Sequence, residues 1–438
     1  MHKKTLQIVT LGCSKNEVDS EHILAQVRDD YDIIPAGEDR DVDVLILNTC
    51  GFIGDAKEES VQAILEAAEK KKAGHVGRLL VCGCLSQRYM DQMPDLIPEV
   101  DGWYGARDIV PVVDALGVRM RHDRRNERLI PGKKLPYAYL KISEGCDRRC
   151  SYCAIPFIRG AHRSVPMEDL VDEARSLAAA GVKELILIAQ DTTYYGLDLY
   201  RRRALAELLR KLSEIDGISW IRIHYSYPAD FPEDVLEQMA ENPKVCRYMD
   251  IPLQHVSDNV LDMMHRHVDG AWTRALIRKM RERVPGIVLR TTMIVGHPGE
   301  GEKEFSELMD FVREAKFERL GAFTYSEEEG TFDAENFEDS VPQDVKNERL
   351  RLLMDEQREI SLAYNNSRIG TVERVLVDSF NDGVFVCRSE FESPEVDGEI
   401  LVHYDSDKMT SSPDGLVGTF ADVRIIGADE YDLIAEML

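Results

Sequence analysis

Short apolar runs alternate with amphipathic stretches along the first part of the chain: TLQIVTLG, NEVDSEHILAQV, DVLILNTC, a long helical stretch, then RLLVCGC. Apolar runs of about four to eight residues bounded by turn signals predict buried strands, and apolar residues recurring at the helical period predict helices packed on them. The resulting βαβα order predicts a mostly parallel sheet, an N-terminal α/β domain over residues 1–116. The helix after Cys50 is expected to open on a capping box, Asp55 with Glu58, and to bury the stripe Val61, Ile64, Leu65 and Ala68.

From residue 137 to 365 the strand-then-helix pattern repeats. Strands are predicted at YAYLKI, ELILIAQ, SWIRIHY, RYMDIPL, IVLRTTMIV and RLGAFTY, with helices such as MEDLVDEARSLAAA and ALAELLRKLSEI between them. At least six such units predict a TIM-like parallel α/β barrel, expected to be open. A long polar helix, PQDVKNERLRLLMDEQREISLAYNNS, ends it. Residues 366–438 change to short strands with Gly, Asp and Pro between them (VERVLV, GVFVC, EILVHY, GTFADVRII), which predicts a small antiparallel β-barrel. Between the first two regions, GVRMRHDRRNERLIPGKKLP (residues 117–136) is basic and poor in apolar residues and reads as a linker. Its arginines are expected to be solvated, with contact to RNA as the alternative.

Charge and cysteine usage narrow the chemistry. A net charge of −26 disfavours non-specific nucleic-acid binding and suits a basic protein partner. The charge is unevenly spread: residues 368–438 hold sixteen Asp and Glu against five Lys and Arg, a net of −11, a surface that repels RNA. The N-terminus lacks a long apolar segment and no run approaches a membrane span, so a soluble, cytoplasmic protein is expected. Nine cysteines in such a compartment point to metal or redox chemistry rather than to disulfides.

Three of them, Cys146, Cys150 and Cys153, fall on one short loop, EGCDRRCSYCAIP, after the strand YAYLKI. Loops at the C-terminal ends of barrel strands are where such folds build their sites. A closed iron–sulfur cubane takes four thiolates, so three leave one iron open to an external molecule. A zinc site with His162 as fourth ligand is the alternative. Cys13, Cys50 and Cys84 lie far apart in sequence, yet each follows an apolar strand. In a parallel sheet those strand ends share one edge, which predicts a second three-thiolate site. Cys82 is the competing candidate, because residues two apart on a strand share a face. Cys246 and Cys387 are isolated and read as structural thiols.

The C-x3-C-x2-C spacing of Cys146, Cys150 and Cys153, with Tyr152 before the last cysteine, resembles the signature of the radical S-adenosylmethionine enzymes. LGCSKNEVDSE, NTCGFI and GCLSQRY resemble the N-terminal domain of the methylthiotransferases within that class, and the acidic tail resembles their TRAM barrel. EGCDRRCSYCAIPFIRG and AQDTTYYGLDLY resemble the branch that acts on an aspartate of ribosomal protein S-twelve. The resemblance implies two [4Fe-4S] clusters, one on each cysteine trio, facing a shared cavity. It implies two molecules of S-adenosylmethionine per turnover, one giving a methyl group and one a 5′-deoxyadenosyl radical, with a reductant and a sulfur donor as further partners. It places cosubstrate contacts at Tyr152 and at Gln190 and Asp191 after ELILIAQ, where this chain departs from the Gly-Gly-Glu of many radical enzymes. Gly296 and Gly299 in IVGHPGE match the adenine-side turn. Arg222 and Arg290 on barrel strands are candidate cosubstrate contacts, with ion pairs to internal carboxylates as the alternative reading. The competing functions are methylthiolation of a transfer-RNA adenosine, which calls for a basic tail, and an iron–sulfur electron carrier or sensor.

Overall fold

The computed structural model describes residues 3–130, 132, 135–404 and 413–438. In the N-terminal region, strands β1 (Lys4–Thr10), β2 (Tyr31–Ile34), β3 (Val42–Thr49), β4 (Val76–Gly83) and β5 (Gly102–Trp103) form a parallel sheet in the order β2-β1-β3-β4-β5. Apolar clusters cover both faces, one around Leu47, Ile64 and Leu79 and the other around Leu6, Ile46 and Val113. That is why the strands read as nearly continuous apolar runs.

The helix after Cys50 spans Gly54–Lys72, and no side chain caps it. It starts before Asp55, so the expected capping box does not form, and Asp55 instead sits in the first turn, against the positive end of the helix dipole. Its buried face is Ser60, Ile64, Ala67 and Ala68. Leu65, expected in that stripe, is 45% exposed, because it lies a quarter turn round from Ile64.

Strands β6 (Tyr137–Lys141), β9 (Glu184–Ile188), β10 (Trp220–Ile223), β11 (Val245–Asp250), β12 (Val288–Val295) and β13 (Arg319–Thr324) form a second, open parallel sheet in the order β13-β12-β11-β10-β9-β6. The short strands β7 (Ser143–Glu144) and β8 (Arg163–Ser164) pair with each other beside it. The main apolar core lies between this sheet and its helices, and the polar helix Gln343–Ser367 follows β13. The other face of the curved sheet is far more polar and is filled from two sides. Val18, on the helix Ser14–Val27, packs among Tyr137, Tyr139, Ile186 and Ile188. From the tail, the segment Arg388–Asp397 enters the same half-barrel.

The tail forms a closed barrel of β14 (Val372–Asn381), β15 (Val384–Arg388), β16 (Ile400–His403), β18 (Leu433–Met437) and β17 (Phe420–Ala428). It is not wholly antiparallel: β16 and β18 run parallel, because the chain crosses between them instead of turning back as a hairpin. The linker is not a solvated tether. Arg121 and Arg124 pair with Asp29, Arg125 with Asp169, and Arg128 with Glu21 and Glu173, so it straps the N-terminal region to the barrel. Lys133 and Lys134 lie outside the described residues.

Candidate functional site

Both parallel sheets present the C-terminal ends of their strands to one cavity of about 400 Å³, and all six cysteines of the two trios line it. Cys13 follows β1, Cys50 follows β3 and Cys84 follows β4. Gly12 has φ +89°, and a Cβ there would come within 2.8 Å of Cys50 Sγ, so only glycine lets these two strand ends approach. Ser60 fixes Cys50 by accepting from its N–H (3.0 Å) and donating to its carbonyl (2.8 Å). Cys82 and Cys84 part company at Gly83, whose φ of +101° ends the strand's alternation. Cys82 then points into the apolar cluster with Leu6, Ile46 and Val113, whereas Cys84 turns into the cavity. Strand parity alone cannot separate them.

Cys146, Cys150 and Cys153 sit on the loop after β7. Gly145, at φ +79°, places its missing Cβ on the Ala161 carbonyl oxygen, and Cys146 N–H donates to the Gly160 carbonyl (3.0 Å). Burial pushes the Cys146 thiol up to about 12 and the Cys153 thiol upward as well. Burial likewise raises Cys84 to about 11, with Arg159 pulling it back down. Such thiols stay protonated until something positive replaces the proton, as expected of metal ligands.

Two buried arginines reach the sulfurs. Arg159, on the helix Ile155–Arg159, donates from Nε to Cys84 Sγ (3.3 Å) and from Nη1 to Asp19 (2.9 Å) and Glu144 (3.1 Å), and Nη2 bonds Asn16. Asp19 and Asn16 belong to the N-terminal region and Glu144 to the barrel, so one guanidinium joins the two halves of the cavity wall. Burial works against the charge on Glu144, but Lys141 and Arg159 outweigh it and hold the carboxyl near about 2. Arg266 donates from Nη1 to Cys150 Sγ (3.4 Å) and to the Tyr152 hydroxyl (3.3 Å), and from Nη2 to the Pro252 carbonyl (2.6 Å). Lys15 lies 3.0 Å from the centre of the Tyr225 ring in the same wall. None of these bases stands out in the sequence, since their partners come from distant segments.

The remaining sequence candidates divide. Tyr152 and Gln190 line the cavity. Gln190 donates to Glu144 (2.8 Å), leaving its Oε1 buried without a partner, as is the Oε1 of Gln254, another lining residue, held at φ +73°. Two unpaired acceptors in one cavity fit a ligand that brings N–H or O–H donors. Asp191 does not line the cavity; it accepts from Arg148 (2.9 Å) and caps the turn Thr192–Tyr194.

Arg222 and Arg290 lie elsewhere. Arg222 donates to Glu184 (2.7 Å) and to the Glu390 carbonyl (2.8 Å), and Arg290 donates to Asp250 (2.9 Å) and approaches Asp397 (3.6 Å). The inserted Arg388–Asp397 segment consumes both, which is the ion-pair alternative. Gly296 and Gly299 also stand outside the cavity wall: a Cβ at Gly296 would strike Lys346 and one at Gly299 would strike Met263, so they serve packing. His162 sits 3.0 Å from Ser164 and against Tyr194, and it does not join the cysteines. Cys246 and Cys387 are buried in apolar clusters. Among the described residues no three Cys, His, Asp or Glu side chains gather tightly enough for a single metal ion.

The fold is that of radical S-adenosylmethionine enzymes. The radical SAM methyltransferase TsrM from Kitasatospora setae superposes with a TM-score of 0.55 at 14% identity, over 74% of this chain and 72% of that one. The cobalamin-dependent radical enzyme OxsB gives a TM-score of 0.52 at 12% identity, over 82% of this chain and 58% of that one. The sequence matches the Radical SAM superfamily over residues 140–312, the uncharacterized protein family UPF0004 over 5–105 and the TRAM domain over 369–438. Relatives described as ribosomal protein uS12 methylthiotransferase RimO are 49% identical in Bacteroides fragilis, with both chains fully covered, and 48% identical in Bacteroides thetaiotaomicron, covering all of this chain and 99% of the relative. One from Porphyromonas gingivalis is also 49% identical over full lengths. The chain belongs to this RimO family of methylthiotransferases.

Proposed function

We propose that the protein inserts a methylthio group at the β-carbon of an aspartate of ribosomal protein uS12. In this reading Cys146, Cys150 and Cys153 hold one [4Fe-4S] cluster, Cys13, Cys50 and Cys84 hold a second, and S-adenosylmethionine occupies the cavity between them. The observation that carries it is the convergence of all six cysteines, from two sheets, on one cavity. When bound, these groups supply the electron, the radical, the methyl group and the sulfur that the reaction needs. The residues of the chain position and enclose. Tyr152, Gln190, Gln254 and Thr292 line the space between the trios, and the unpaired Oε1 atoms of the two glutamines are acceptors for the cosubstrate's amino or hydroxyl donors. Arg159 ties the two halves of the wall, so the distance between the trios is fixed before substrate arrives.

Among the described residues no Asp, Glu or His lines the cavity, and no side-chain base would serve at the substrate carbon. The β-carbon of aspartate carries unactivated C–H bonds that a side-chain base cannot deprotonate at neutral pH. The tail's net charge of −11 favours a basic protein over transfer RNA. The test is mass spectrometry of uS12, free and in the small subunit, after anaerobic incubation with reconstituted enzyme, reductant, S-adenosylmethionine and sulfide. A methylthio mass gain on one aspartate, unaffected by added transfer RNA, is expected. Modification of the RNA in place of the protein would overturn the reading.

A further inference from the structure

The two arginines that touch cysteine sulfur differ in one respect. Arg159 is compensated: it shares Asp19 and Glu144, both within ion-pair distance, with Lys141, two cations against two carboxylates. Arg266 is as deeply buried, 3% exposed, yet among the described residues no carboxylate lies within ion-pair distance of it. Its neighbours are the Cys150 sulfur, the Tyr152 hydroxyl, the Pro252 carbonyl and the face of the Tyr227 ring, 4.3 Å from the guanidinium, and its Nε has no partner. A buried cation without a counter-charge is costly, so it is retained only where negative charge is to be met.

The backbone bends to put it there. His265 and His267 flank Arg266, and both adopt positive φ, +53° and +57°. Two departures of this kind, one on each side of one residue, are strain spent on aiming a side chain. The Tyr227 hydroxyl then donates to the Arg266 carbonyl (2.9 Å) and lies 3.7 Å from Cys150 Sγ, which fixes the loop against the cysteine.

We propose that Arg266 is the counter-charge of the radical-loop thiolates: its guanidinium, uncompensated by protein, favours the one-electron-reduced, more negative form of whatever iron–sulfur group Cys146, Cys150 and Cys153 hold. Arg159, balanced within a neutral group of two cations and two carboxylates with Lys141, Asp19 and Glu144, has a smaller electrostatic effect on its own trio and acts chiefly by position. Hydrogen bonds and net charge near the sulfurs are established levers on such potentials. The inference rests on the assignment of the radical-loop cysteines as cluster ligands.

The test isolates one site. In the full-length Cys13→Ala, Cys50→Ala, Cys84→Ala variant, iron content and an electron-paramagnetic-resonance redox titration with dithionite, which donates the single electron, are compared with and without Arg266→Met and Arg266→Lys. The proposal expects iron retained, a midpoint potential shifted negative by Arg266→Met, and recovery of most of that shift by Arg266→Lys. At a fixed potential on the reducing limb, the ratio of reduced to oxidised centres should fall about tenfold in Arg266→Met, the scale of one charge-assisted hydrogen bond. An unchanged potential with full iron overturns the proposal while leaving the ligand assignment intact. Iron lost from both Arg266 variants, with the fold retained by circular dichroism, makes Arg266 a structural prop of the loop and also overturns it. Absence of iron from the triple variant alone would instead refute the ligand assignment.

Discussion

The two cysteine trios reach the same cavity by different means. Cys146, Cys150 and Cys153 lie on one loop, shaped by Gly145 and by a few local hydrogen bonds. Cys13, Cys50 and Cys84 stand at the ends of three strands, and their spacing is the register of a sheet. The loop trio therefore depends on a local turn, the strand trio on the whole N-terminal fold. The charges differ as well: the strand trio meets a compensated arginine and the loop trio an uncompensated one.

Single cysteine substitutions should separate the trios most strongly. Cys150→Ala is expected to abolish reductive cleavage of S-adenosylmethionine. Cys84→Ala is expected to leave 5′-deoxyadenosine formation and remove the methylthio product, as read by liquid chromatography and mass spectrometry. Loss of cleavage in both would mean that the trios form one site.

Arg159→Met should follow, because it leaves the two buried carboxylates Asp19 and Glu144 to share Lys141 alone. A loss of about 3–5 kcal/mol in denaturant unfolding is expected, as for other broken buried ion pairs. Arg159→Lys should recover part of it.

Gly83→Ala should cost about 2–3 kcal/mol, since it places a Cβ on the Thr49 carbonyl at a φ of +101°. Iron analysis should show the loss confined to the strand trio. Gly145→Ala is its mirror, expected to disturb only the loop trio.

The smallest effect concerns pH. Burial, with Glu21 and Glu395 nearby, raises the Glu17 carboxyl to about 7 from an ordinary 4.5. Between those values the folded state binds more protons than the unfolded chain, so stability falls as pH rises through about 4.5 to 7. Glu17→Gln should remove that slope and gain about 1–2 kcal/mol at pH 8 relative to its effect at pH 4, after discounting for partial exposure. Equal pH profiles for the two proteins, measured by urea denaturation, would contradict this.

Much of the architecture was legible because periodicity is local: both parallel sheets, the open barrel and the small tail barrel follow from strand and helix patterns. The loop trio was legible as a motif, and the strand trio followed from topology, since strand ends in a parallel sheet share an edge. What misled was everything imposed from another domain. Arg222 and Arg290 looked like cavity residues until the Arg388–Asp397 segment, some hundred or more positions away, filled the half-barrel and took them as partners. Arg159 and Arg266 are silent in the sequence for the same reason, because the groups that make them informative are Cys84 and Cys150, far off in sequence. The hydrophobicity of Leu65 predicts an inward position, whereas the helix's rotation is set by Ser60, Ile64 and Ala67 against the sheet.

Iron and acid-labile sulfide content tests most directly whether two cluster sites face one cavity. Anaerobically reconstituted wild type should hold about eight irons per chain, and the Cys13→Ala, Cys50→Ala, Cys84→Ala variant about four, with sulfide falling in parallel. About four irons in both proteins would contradict the claim, leaving the strand-end cysteines without a cluster.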